Sequence, residues 1–501
     1  MIDRTPEATY GSTTDSTSAR PGEVRRRNLL AGGALGAAGA LTGLVGATPP
    51  AAHGRPHRNW FRPGEPEYEA AVTGFNVTVT RRPEFVVVAR HAHDVQGAVR
   101  YAHRHDLPVC VMSTGHQASV SFEGGILVST AAMERIHVHP HTATARVGPG
   151  VNWAEVTDVS SRFGLAGLAG SSGSVGVVGY TLGGGLSPAL GRLHGWAADH
   201  VSRMEIVTAD GELRVATPEH ETELFWAARG GKGNFGIVTS LDFGLFPVRR
   251  LYGGAIMYPV AAAPDVLPVW RDWAATAPET VTTSMAILQL PPDPSVPEPV
   301  RGKHVVSVRV SFVGDPVEGA ALVAPLRAAA PALLDSVAEM PFTDWGIIHS
   351  DPSGPLPGYE RTGFLAELPD EALQTMINLA GADSGSPMSL VEVRQLGGAL
   401  ADAPEVPSAV GHRDAAFNFF TIGVAPPEEV AEVRAYGARL VDAMEPWATG
   451  GAYINFLSTD EVDPADVRRA YDTDDYPRLA SIKAGVDSRN MFRLTHNIPP
   501  V

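Results

Sequence analysis

Residues 224–238 read Leu-Phe-Trp-Ala-Ala-Arg-Gly-Gly-Lys-Gly-Asn-Phe-Gly-Ile-Val, and Gly231–Gly236 within them fits the G-x-G-x-x-G pattern of dinucleotide-binding turns. In a Rossmann fold this turn follows a strand and opens a helix. Here it follows a predicted helix, Glu221–Arg229, and opens a predicted strand, Ile237–Leu241. The order of the elements therefore excludes a Rossmann turn. The loop is either a plain tight turn or, because glycine backbone is costly to order, a nest of N–H groups that approaches a ligand phosphate.

Two further loops of the same kind precede this one. Ala169–Gly185 is dense in glycine and serine, and Ser113–Gln117 reads Ser-Thr-Gly-His-Gln after the predicted strand Leu107–Met112. Three loops able to surround phosphate, in a domain without a Walker motif, predict a large pyrophosphate cofactor that lies extended across the domain.

The chain changes character near residue 250. From about residue 76 to 248 predicted strands alternate with helices. From residue 251 to 446, proline-rich loops separate alternating strands such as His304–Phe312 from alanine-rich helices such as Pro316–Ala330. The second region predicts a separate α+β domain with a mostly antiparallel sheet. A chain of 501 residues is also too long for one core of ordinary size, so two domains are expected.

Composition and charge narrow the class of protein. The chain is 44% hydrophobic and 19% charged, which is typical of globular proteins. Its net charge of −16 gives a surface that repels phosphate backbones, so we expect no nucleic-acid partner. The single cysteine, Cys110, excludes an intrachain disulfide. His137, His139 and His141 alternate along a predicted strand, but without a nearby set of carboxylates or cysteines they indicate a surface edge, and we expect no metal site.

The N-terminal 52 residues have the features of an export signal. A polar leader is followed by Arg25-Arg26-Arg27 and by a mild Ala/Gly/Leu run to about Ala47. The run is short, weakly apolar and preceded by paired arginines, which is typical of twin-arginine export rather than of a membrane span. We therefore expect a secreted protein that folds before export and does not insert stably in a membrane. The alternative interpretation of residues 1–52 is a basic disordered tail.

Several motifs, taken in their order, indicate a family. This chain resembles the FAD-binding domain of the p-cresol methylhydroxylase and vanillyl-alcohol oxidase type. The matching motifs are Pro83–His116, Val147–Gly150, Gly176–Gly185, Thr208–Gly211 and Leu224–Val238. The C-terminal motifs Tyr453–Phe456 and Asn490–Pro500 narrow the resemblance to the berberine-bridge-enzyme-like FAD-linked oxidases. The resemblance covers nearly the whole chain after the leader and is weakest between residues 251 and 446.

The resemblance implies an α+β flavoprotein of two domains with FAD between them. It implies an FAD-binding domain over residues 60–250 and a substrate-binding domain with a mostly antiparallel sheet and helices over residues 251–449. A C-terminal segment, residues 450–501, is expected to pack back on the FAD domain.

Within this resemblance, His116 matches the histidine that bonds the flavin 8α-methyl carbon, a role that suits a neutral, nucleophilic imidazole. Many members add a second link from a cysteine, but this chain has Ser172 at the matching position, and Cys110 lies in the strand before the histidine loop. We therefore expect FAD held by one covalent bond, with no cysteinyl link. The other residues expected near the cofactor are Ser113, Thr114, Gly115, Gln117, Ser171, Val175, Gly176, Gly179, Asn234, Gly236, Val238, Asn455 and Asn497.

The residues that act on the substrate are harder to assign. An alcohol must lose a proton as its hydride leaves, so it needs a base near the reacting atom. Many relatives place a tyrosine directly after the asparagine of the Tyr-x-Asn motif, where this chain has Phe456. An amine releases hydride from its neutral form without a strong base, so Phe456 favours an amine. The candidate catalytic residues are Tyr453, Asp402, Gln395 and Tyr180, with His194 as a further candidate.

The expected activity is hydride transfer from a small organic substrate, whether an amine, an alcohol or a sugar-like C–H, to covalent FAD. Reoxidation by O2 would then give hydrogen peroxide. Val177 matches the position where a small residue leaves room for oxygen, which favours an oxidase. Three alternatives stay open: a dehydrogenase with a different acceptor, a flavin-retaining binding protein with little turnover, and a secreted hydrolase without flavin.

Overall fold

The N-terminal half of the fold is built from short strands and amphipathic helices. The structure is a computed structural model that describes residues 58–116, 120–352 and 354–501. Its elements before residue 250 are β1 (Trp60–Phe61), α1 (Pro66–Val72), β2 (Arg81–Arg82), β3 (Phe85–Val88), α2 (Ala92–His105), β4 (Val109–Met112), β5 (Phe122–Glu123), β6 (Ile126–Ser129), β7 (Ile136–His139), β8 (Thr144–Val147), α3 (Trp153–Ser160), α4 (Val177–Leu182), α5 (Gly191–His194), β9 (Val201–Val207), β10 (Leu213–Ala216), α6 (Thr222–Gly231) and β11 (Ile237–Gly244).

The first sheet positions the histidine loop. Strands β3, β6 and β4 pair in parallel, with β1 antiparallel at one edge. Their runs of valine, isoleucine and leucine are almost wholly buried, as is usual for parallel strands covered by other elements. Helix α2 packs on this sheet through Val95, Ala98, Val99 and Ala102, which recur at helical spacing. The loop that carries His116 begins where β4 ends, at an end of the sheet.

The second sheet is antiparallel and has the strand order β10-β9-β11-β8-β7. The glycine-rich loop lies between α6 and β11, as predicted from the sequence. Its glycines are required by contacts within the protein. A Cβ on Gly230 would lie 2.5 Å from the carbonyl carbon of Ala409, and one on Gly236 would lie 2.5 Å from the carbonyl oxygen of Val207. The tight turn therefore accounts for these two glycines, and the phosphate-nest interpretation is not needed for them.

The third sheet is large and antiparallel. Its region contains β12 (Arg250–Pro259), α7 (Ala263–Thr276), β13 (Val281–Gln289), β14 (His304–Phe312), α8 (Pro316–Ala329), β15 (Leu334–Asp335), β16 (Ala338–Pro341), β17 (Gly358–Leu365), α9 (Asp370–Ala380), β18 (Leu390–Gln395), β19 (Phe417–Val424) and α10 (Val430–Met444). The strand order is β15-β12-β14-β13-β18-β19-β17, and β16 also pairs with β12. Helices α7 to α10 share one apolar core with the sheet. The prediction of a mostly antiparallel sheet with helices is confirmed.

The C-terminal segment contains α11 (Pro464–Arg468) and α12 (Asp475–Val486) and returns to the first two sheets. The Met491 carbonyl accepts a hydrogen bond from the backbone N–H of Val109 in β4. Lys483, which is fully buried, pairs with Asp487 at 2.7 Å and donates to the carbonyl of Asn234 at 2.6 Å. A buried ion pair of this kind holds only where further hydrogen bonds satisfy it, and here those bonds fix the chain end beside the glycine-rich loop.

Two predictions concern residues outside the described part of the chain. The export signal, residues 1–52, and Gln117 both fall there. Within the described ranges, no helix combines the length and the apolarity needed to cross a bilayer.

Candidate functional site

Gly115 brings the histidine loop against a neighbouring segment. Its φ is +73°, and a Cβ there would lie 2.7 Å from the Cα of Gly74, so only glycine fits. This close approach places the imidazole of His116 on the ring of Phe75, with centroids 4.1 Å apart and planes at 16°. Nδ1 of His116 lies 3.0 Å from Oγ1 of Thr114, and Nε2 lies 3.1 Å from Oγ of Ser174. The ring is therefore held on its face and at both nitrogens.

The environment of His116 keeps its imidazole neutral. Burial lowers the pKa of His116 to about 4, and the charge of Asp351 opposes this shift only in part. Both hydrogen-bond partners are hydroxyls, which can donate or accept, so either nitrogen can carry the proton. At neutral pH one nitrogen of His116 thus keeps a lone pair, which a nucleophile requires.

Ser174 connects His116 to the loop between residues 169 and 185. Its Oγ lies 2.8 Å from Oγ of Ser172, so three side chains form a continuous chain of hydrogen bonds. Gly176 allows the two loops to meet, since a Cβ there would lie 3.3 Å from Oγ1 of Thr114. Gly176 is also the N-terminal cap of α4, in which Val177 is fully buried.

An open cleft of about 390 Å³ adjoins this serine loop. It is lined by Ser171, Ser172 and Ser174 and also by Asp351, on the segment before β17. The charge of Asp351 acts on His116 and also on Arg394 of β18. The cleft therefore joins the loop of the predicted cofactor domain to the large antiparallel sheet.

Tyr453 and Asn455 form a second group of site residues. Oη of Tyr453 accepts hydrogen bonds from the backbone N–H groups of Gly185 and Leu186, at 3.1 and 2.9 Å, and from Nδ2 of Asn455 at 3.1 Å. Nδ2 of Asn455 also donates to the carbonyl of Tyr180 at 2.9 Å. A Cβ on Gly183 would lie 2.0 Å from Oδ1 of Asn455, which explains one glycine of the triplet Gly183–Gly185.

Buried polar atoms without partners show where a ligand would fit. Leaving such an atom unsatisfied costs about 1–3 kcal/mol, and a polar cofactor would remove that cost. Atoms of this kind occur in all three loops and in the C-terminal segment. Among the described residues they include Oγ of Ser113, Oη of Tyr180, Nζ of Lys232, Oδ1 of Asn455 and Oδ1 of Asn497. The phosphates, ribose and ring heteroatoms of FAD supply matching donors and acceptors, so these residues fit that cofactor.

Some predicted cofactor residues have other roles in the structure. Nδ2 of Asn234 donates to the carbonyls of Gly231 and His496, and its Oδ1 accepts from the N–H of Ile498. Asn234 therefore joins the glycine loop to the chain end and has no N–H left for a cofactor. Val238 is a buried core residue of β11. Ser171 and Val175 lie in the serine loop, and Gly179 has no heavy atom within 4 Å of a Cβ position, so a ligand has space there.

Three candidate catalytic residues have surroundings that do not join them to Tyr453. Nε2 of Gln395 donates to the carbonyl of Ala274 in α7, so Gln395 points to the helix-covered face of the sheet, opposite Arg394. The side chain of Asp402 is exposed, and among the described residues no group holds its carboxylate in place. His194 is half-buried and stacks on Phe246 with ring centroids 3.9 Å apart. Tyr453 and Tyr180 lie close together, since Nδ2 of Asn455 donates to both.

Several residues at the candidate site carry no signal in the sequence. Phe75 and Ser174 contact His116 from distant positions in the chain. Arg394 lies over the ring of Phe456, with Cζ 5.1 Å from the centroid. Alternation along β18 predicts that Arg394 and Gln395 point to opposite faces of the sheet. Nothing in the sequence shows which of the two faces lies near the cofactor loops.

Comparisons with known proteins agree with this geometry. A family model described as FAD binding domain matches residues 83–217, and one described as berberine and berberine like matches residues 452–499. An uncharacterised FAD-linked oxidoreductase of Bacillus subtilis is 27% identical over 450 residues, which cover 87% of this chain and 96% of the relative. The (R)-6-hydroxynicotine oxidase of Paenarthrobacter nicotinovorans is 26% identical over 461 residues, which cover 87% and 96%.

Among solved structures, wild-type Phl p 4.0202, described as a glucose dehydrogenase, has a TM-score of 0.76 at 21% identity and covers 89% of this chain and 97% of its own. An isoleucine-to-valine variant of Phl p 4 is described as a glucose oxidase. Structural similarity at this identity shows the fold, whereas the two family models and the full-length relatives give the class of enzyme. This chain is an FAD-linked oxidoreductase with an FAD-binding domain and a berberine-like C-terminal segment.

Proposed function

We propose that the protein is an exported oxidase that binds FAD through a covalent bond to His116 and oxidises a small organic molecule with O2. The observation that carries the proposal is the setting of His116. Its imidazole is neutral at physiological pH, stacked on Phe75, and held at both nitrogens by Thr114 and Ser174. Because the imidazole is held in one orientation, it is ready to form a bond to the flavin.

The residues that would hold FAD are those with partnerless buried atoms. We assign Ser113, Asn455 and Asn497 to polar contacts with the cofactor, and His116 to the tether. Bound FAD supplies hydride acceptance from the substrate and electron transfer to oxygen. We also propose the domain division of residues 60–250, 251–449 and 450–501, with the cofactor between the first two.

Ser172 favours one link rather than two. It occupies the loop position that matches a cysteine in many relatives, and a hydroxyl is far less nucleophilic than a thiolate. Cys110, the single cysteine, lies buried in β4, and burial raises its pKa to about 12. Its thiol thus stays protonated in the core.

Tyr453 is assigned to substrate positioning. Burial raises the pKa of Tyr453, although the N–H donors around it work in the opposite direction, so the hydroxyl is protonated at neutral pH. Three N–H groups already point at Oη. The O–H hydrogen must therefore point away from them, and no described residue accepts it. It is available to a heteroatom of the substrate, which suits an amine or alcohol held with its C–H toward the flavin.

Two further points complete the proposal. Val177, small and fully buried at the start of α4, is proposed to leave room for O2 beside the flavin. In Phl p 4 the change from isoleucine to valine accompanies the change from glucose dehydrogenase to glucose oxidase. Export by the twin-arginine route is proposed from Arg25–Arg27 and the weakly apolar run that follows.

The tether is tested by denaturing the purified protein in acid and measuring whether flavin absorbance stays with the polypeptide. We expect it to stay in the wild type and to be released in His116→Ala. His194→Ala is the matched control, because His194 is also a half-buried histidine stacked on a phenylalanine and burial lowers its pKa to about 4. Release of flavin from the wild type would show that the link is not covalent. Hydrogen peroxide formed on turnover in air separates an oxidase from a dehydrogenase.

A further inference from the structure

A buried group of charges lies on the large antiparallel sheet, apart from the His116 loop. Arg309 on β14 and Glu392 and Arg394 on β18 have side chains exposed by only 3%, 0% and 9%. Ser284 on β13 is the direct register partner of both Arg309 and Arg394, so these side chains line up across three adjacent strands. Their alignment places two guanidinium groups beside one carboxylate.

The contacts of Glu392 are saturated within this group. Its Oε1 accepts hydrogen bonds from Nη1 of Arg309 at 2.6 Å and from Oγ of Ser284 at 2.8 Å. Its Oε2 accepts from Nε of Arg394 at 2.9 Å. Burial alone would raise the pKa of Glu392, but Arg394 and Arg309 outweigh burial and hold that pKa well below its usual range. Glu392 therefore carries one negative charge against two positive charges.

Among the described residues, no ion pair other than that with Glu392 is formed by Arg309 or Arg394. His349 lies with Nε2 3.5 Å from Oε1 of Glu392, but burial lowers its pKa, and it adds no negative charge in any state. Asp351 acts on Arg394 electrostatically, yet no ion pair joins the two among the described residues. A buried charge without a partner is costly, so an anion from outside the chain would stabilise this site.

The free edge of Arg394 lies next to the substrate side of the candidate site. Nε and Nη2 both lie against Oε2 of Glu392, at 2.9 and 2.8 Å, while Nη1 has no hydrogen bond to a described residue. The guanidinium lies over Phe456, whose ring is 4.9 Å from that of Tyr453. The edge formed by Nη1 and Nη2 can thus bind two oxygens of one planar group.

We propose that Arg394 binds the carboxylate of the substrate through this edge, so that the enzyme oxidises a small organic acid. This inference rests on the proposed function, because it places the acid beside Tyr453 and the flavin. A carboxylate matches the guanidinium in geometry and supplies the missing negative charge. A neutral sugar or amine would leave that charge uncompensated.

The test uses the flavin-loaded protein and compares three acids with their amides: acetate with acetamide, lactate with lactamide, and phenylacetate with phenylacetamide. Each amide keeps the carbon skeleton and removes the charge. Kd is measured by calorimetry and by the change in the flavin spectrum. We expect at least one acid to bind tenfold or more tightly than its amide. Equal affinity for acid and amide in all three pairs, or no binding of any acid, overturns the proposal.

Two variants test whether the preference for the acid over its amide depends on the Nη1 and Nη2 edge of Arg394 or only on positive charge. Arg394→Lys keeps the charge and loses the planar fork, so we expect its preference for the acid over the amide to fall at least tenfold. Arg309→Lys is the matched control. Arg309 also pairs with Glu392 but does not contact Phe456, so the preference for the acid should persist in this variant. Loss in both variants, or in neither, contradicts the proposal. Calorimetry reports the preference even if the acid-denaturation test finds no tether, so the two proposals fail separately.

Discussion

The imidazole of His116 and the ring of Phe75 lie nearly parallel, 4.1 Å apart, although 41 positions separate them in the chain. Gly115 makes this stack possible, because a Cβ there would overlap the backbone of Gly74. The stack fixes the imidazole before any bond to the flavin forms. We regard this fixation as the structural basis of the proposed tether.

Phe75→Ala should slow attachment of the flavin roughly tenfold, because the imidazole loses the ring that orients it while its hydroxyl partners are kept. The measurement is the fraction of flavin retained on the polypeptide after acid denaturation, followed over time in apoprotein supplied with FAD. Phe246→Ala, which removes the ring under His194, is the control and should attach flavin at the wild-type rate. An unchanged rate in Phe75→Ala would show that the stack is only structural.

Ser172→Cys should create a second covalent link to the flavin. The side chain of residue 172 is joined to His116 through Ser174, so a thiol there stands beside the proposed attachment point. Mass spectrometry of proteolytic peptides should find one flavin-bearing peptide in the wild type and two peptides joined through one flavin in the variant. Ser171→Cys, one position away in the same cleft wall, is the control. A single flavin peptide in Ser172→Cys would contradict the assignment of this loop.

Tyr453→Phe should lower the rate of flavin reduction by substrate roughly ten- to a hundredfold, because the substrate loses a buried hydrogen-bond donor. It also leaves three N–H donors without their acceptor, so some loss of stability is expected. Anaerobic stopped-flow absorbance measures reduction separately from reoxidation. Tyr471→Phe is the control, since its buried hydroxyl donates to the carbonyl of Gly230. A variant with lower Tm and an unchanged reduction rate would restrict Tyr453 to a structural role.

Val177→Ile should slow reoxidation of the reduced flavin by O2 roughly tenfold, the effect of one added methylene in a tight site. Reduction by substrate should change little, because the substitution does not alter a polar contact. Mixing reduced enzyme with oxygenated buffer gives the rate directly. Val178→Ile, the neighbouring buried valine in α4, should react at the wild-type rate. Equal slowing in both variants would point to general overpacking of the helix.

His496→Gln should make the Tm of the protein less sensitive to acid. Burial, and secondly the charge of Lys232, lower the pKa of His496 to about 4, below its value of 6.5 when exposed. A histidine with a lowered folded pKa contributes its full stability above pH 6.5 and loses it as the pH falls toward 4. At pH 5 the loss is about 2 kcal/mol.

Glutamine can still donate to the carbonyl of Ser458, as Nε2 of His496 does at 3.1 Å, but it does not titrate. Thermal unfolding at pH 7 and pH 5 should therefore show a smaller drop in Tm for His496→Gln than for the wild type. His137→Gln, at an exposed position, should follow the wild type. Parallel behaviour of all three proteins would mean that His496 does not titrate in this range.

Local sequence determined the secondary structure closely. The predicted strand His304–Phe312 has the bounds that the structure shows, and the predicted helix Pro316–Ala330 is α8, which ends one residue earlier. These elements depend on alternation, helical periodicity and capping residues, all of which are short-range patterns. The family motifs likewise led to the prediction of His116, Tyr453 and Asn455 as site residues.

The sequence misjudged residues whose role depends on which distant segment they meet. Gly236 looked like a residue for a ligand phosphate, but it makes room for the Val207 carbonyl. Gln395 looked like a site residue, whereas the neighbouring Arg394 faces Phe456 and Gln395 faces α7. One position along a strand reverses the face, so the packing of the sheet decided between them.

The sequence by itself determined the elements, their order and the cofactor class, because glycine-rich loops, strand alternation and the histidine motif act within a few residues of one another. Only the tertiary structure decided what surrounds the chemistry. The Phe75 stack, the Ser174 contact and the unneutralised charge of Arg394 each join segments far apart in the chain. Burial then determines the pKa values and the energetic cost of these groups. The cost of removing a charge or a polar atom from water depends on all the residues packed around it and not only on its neighbours in sequence.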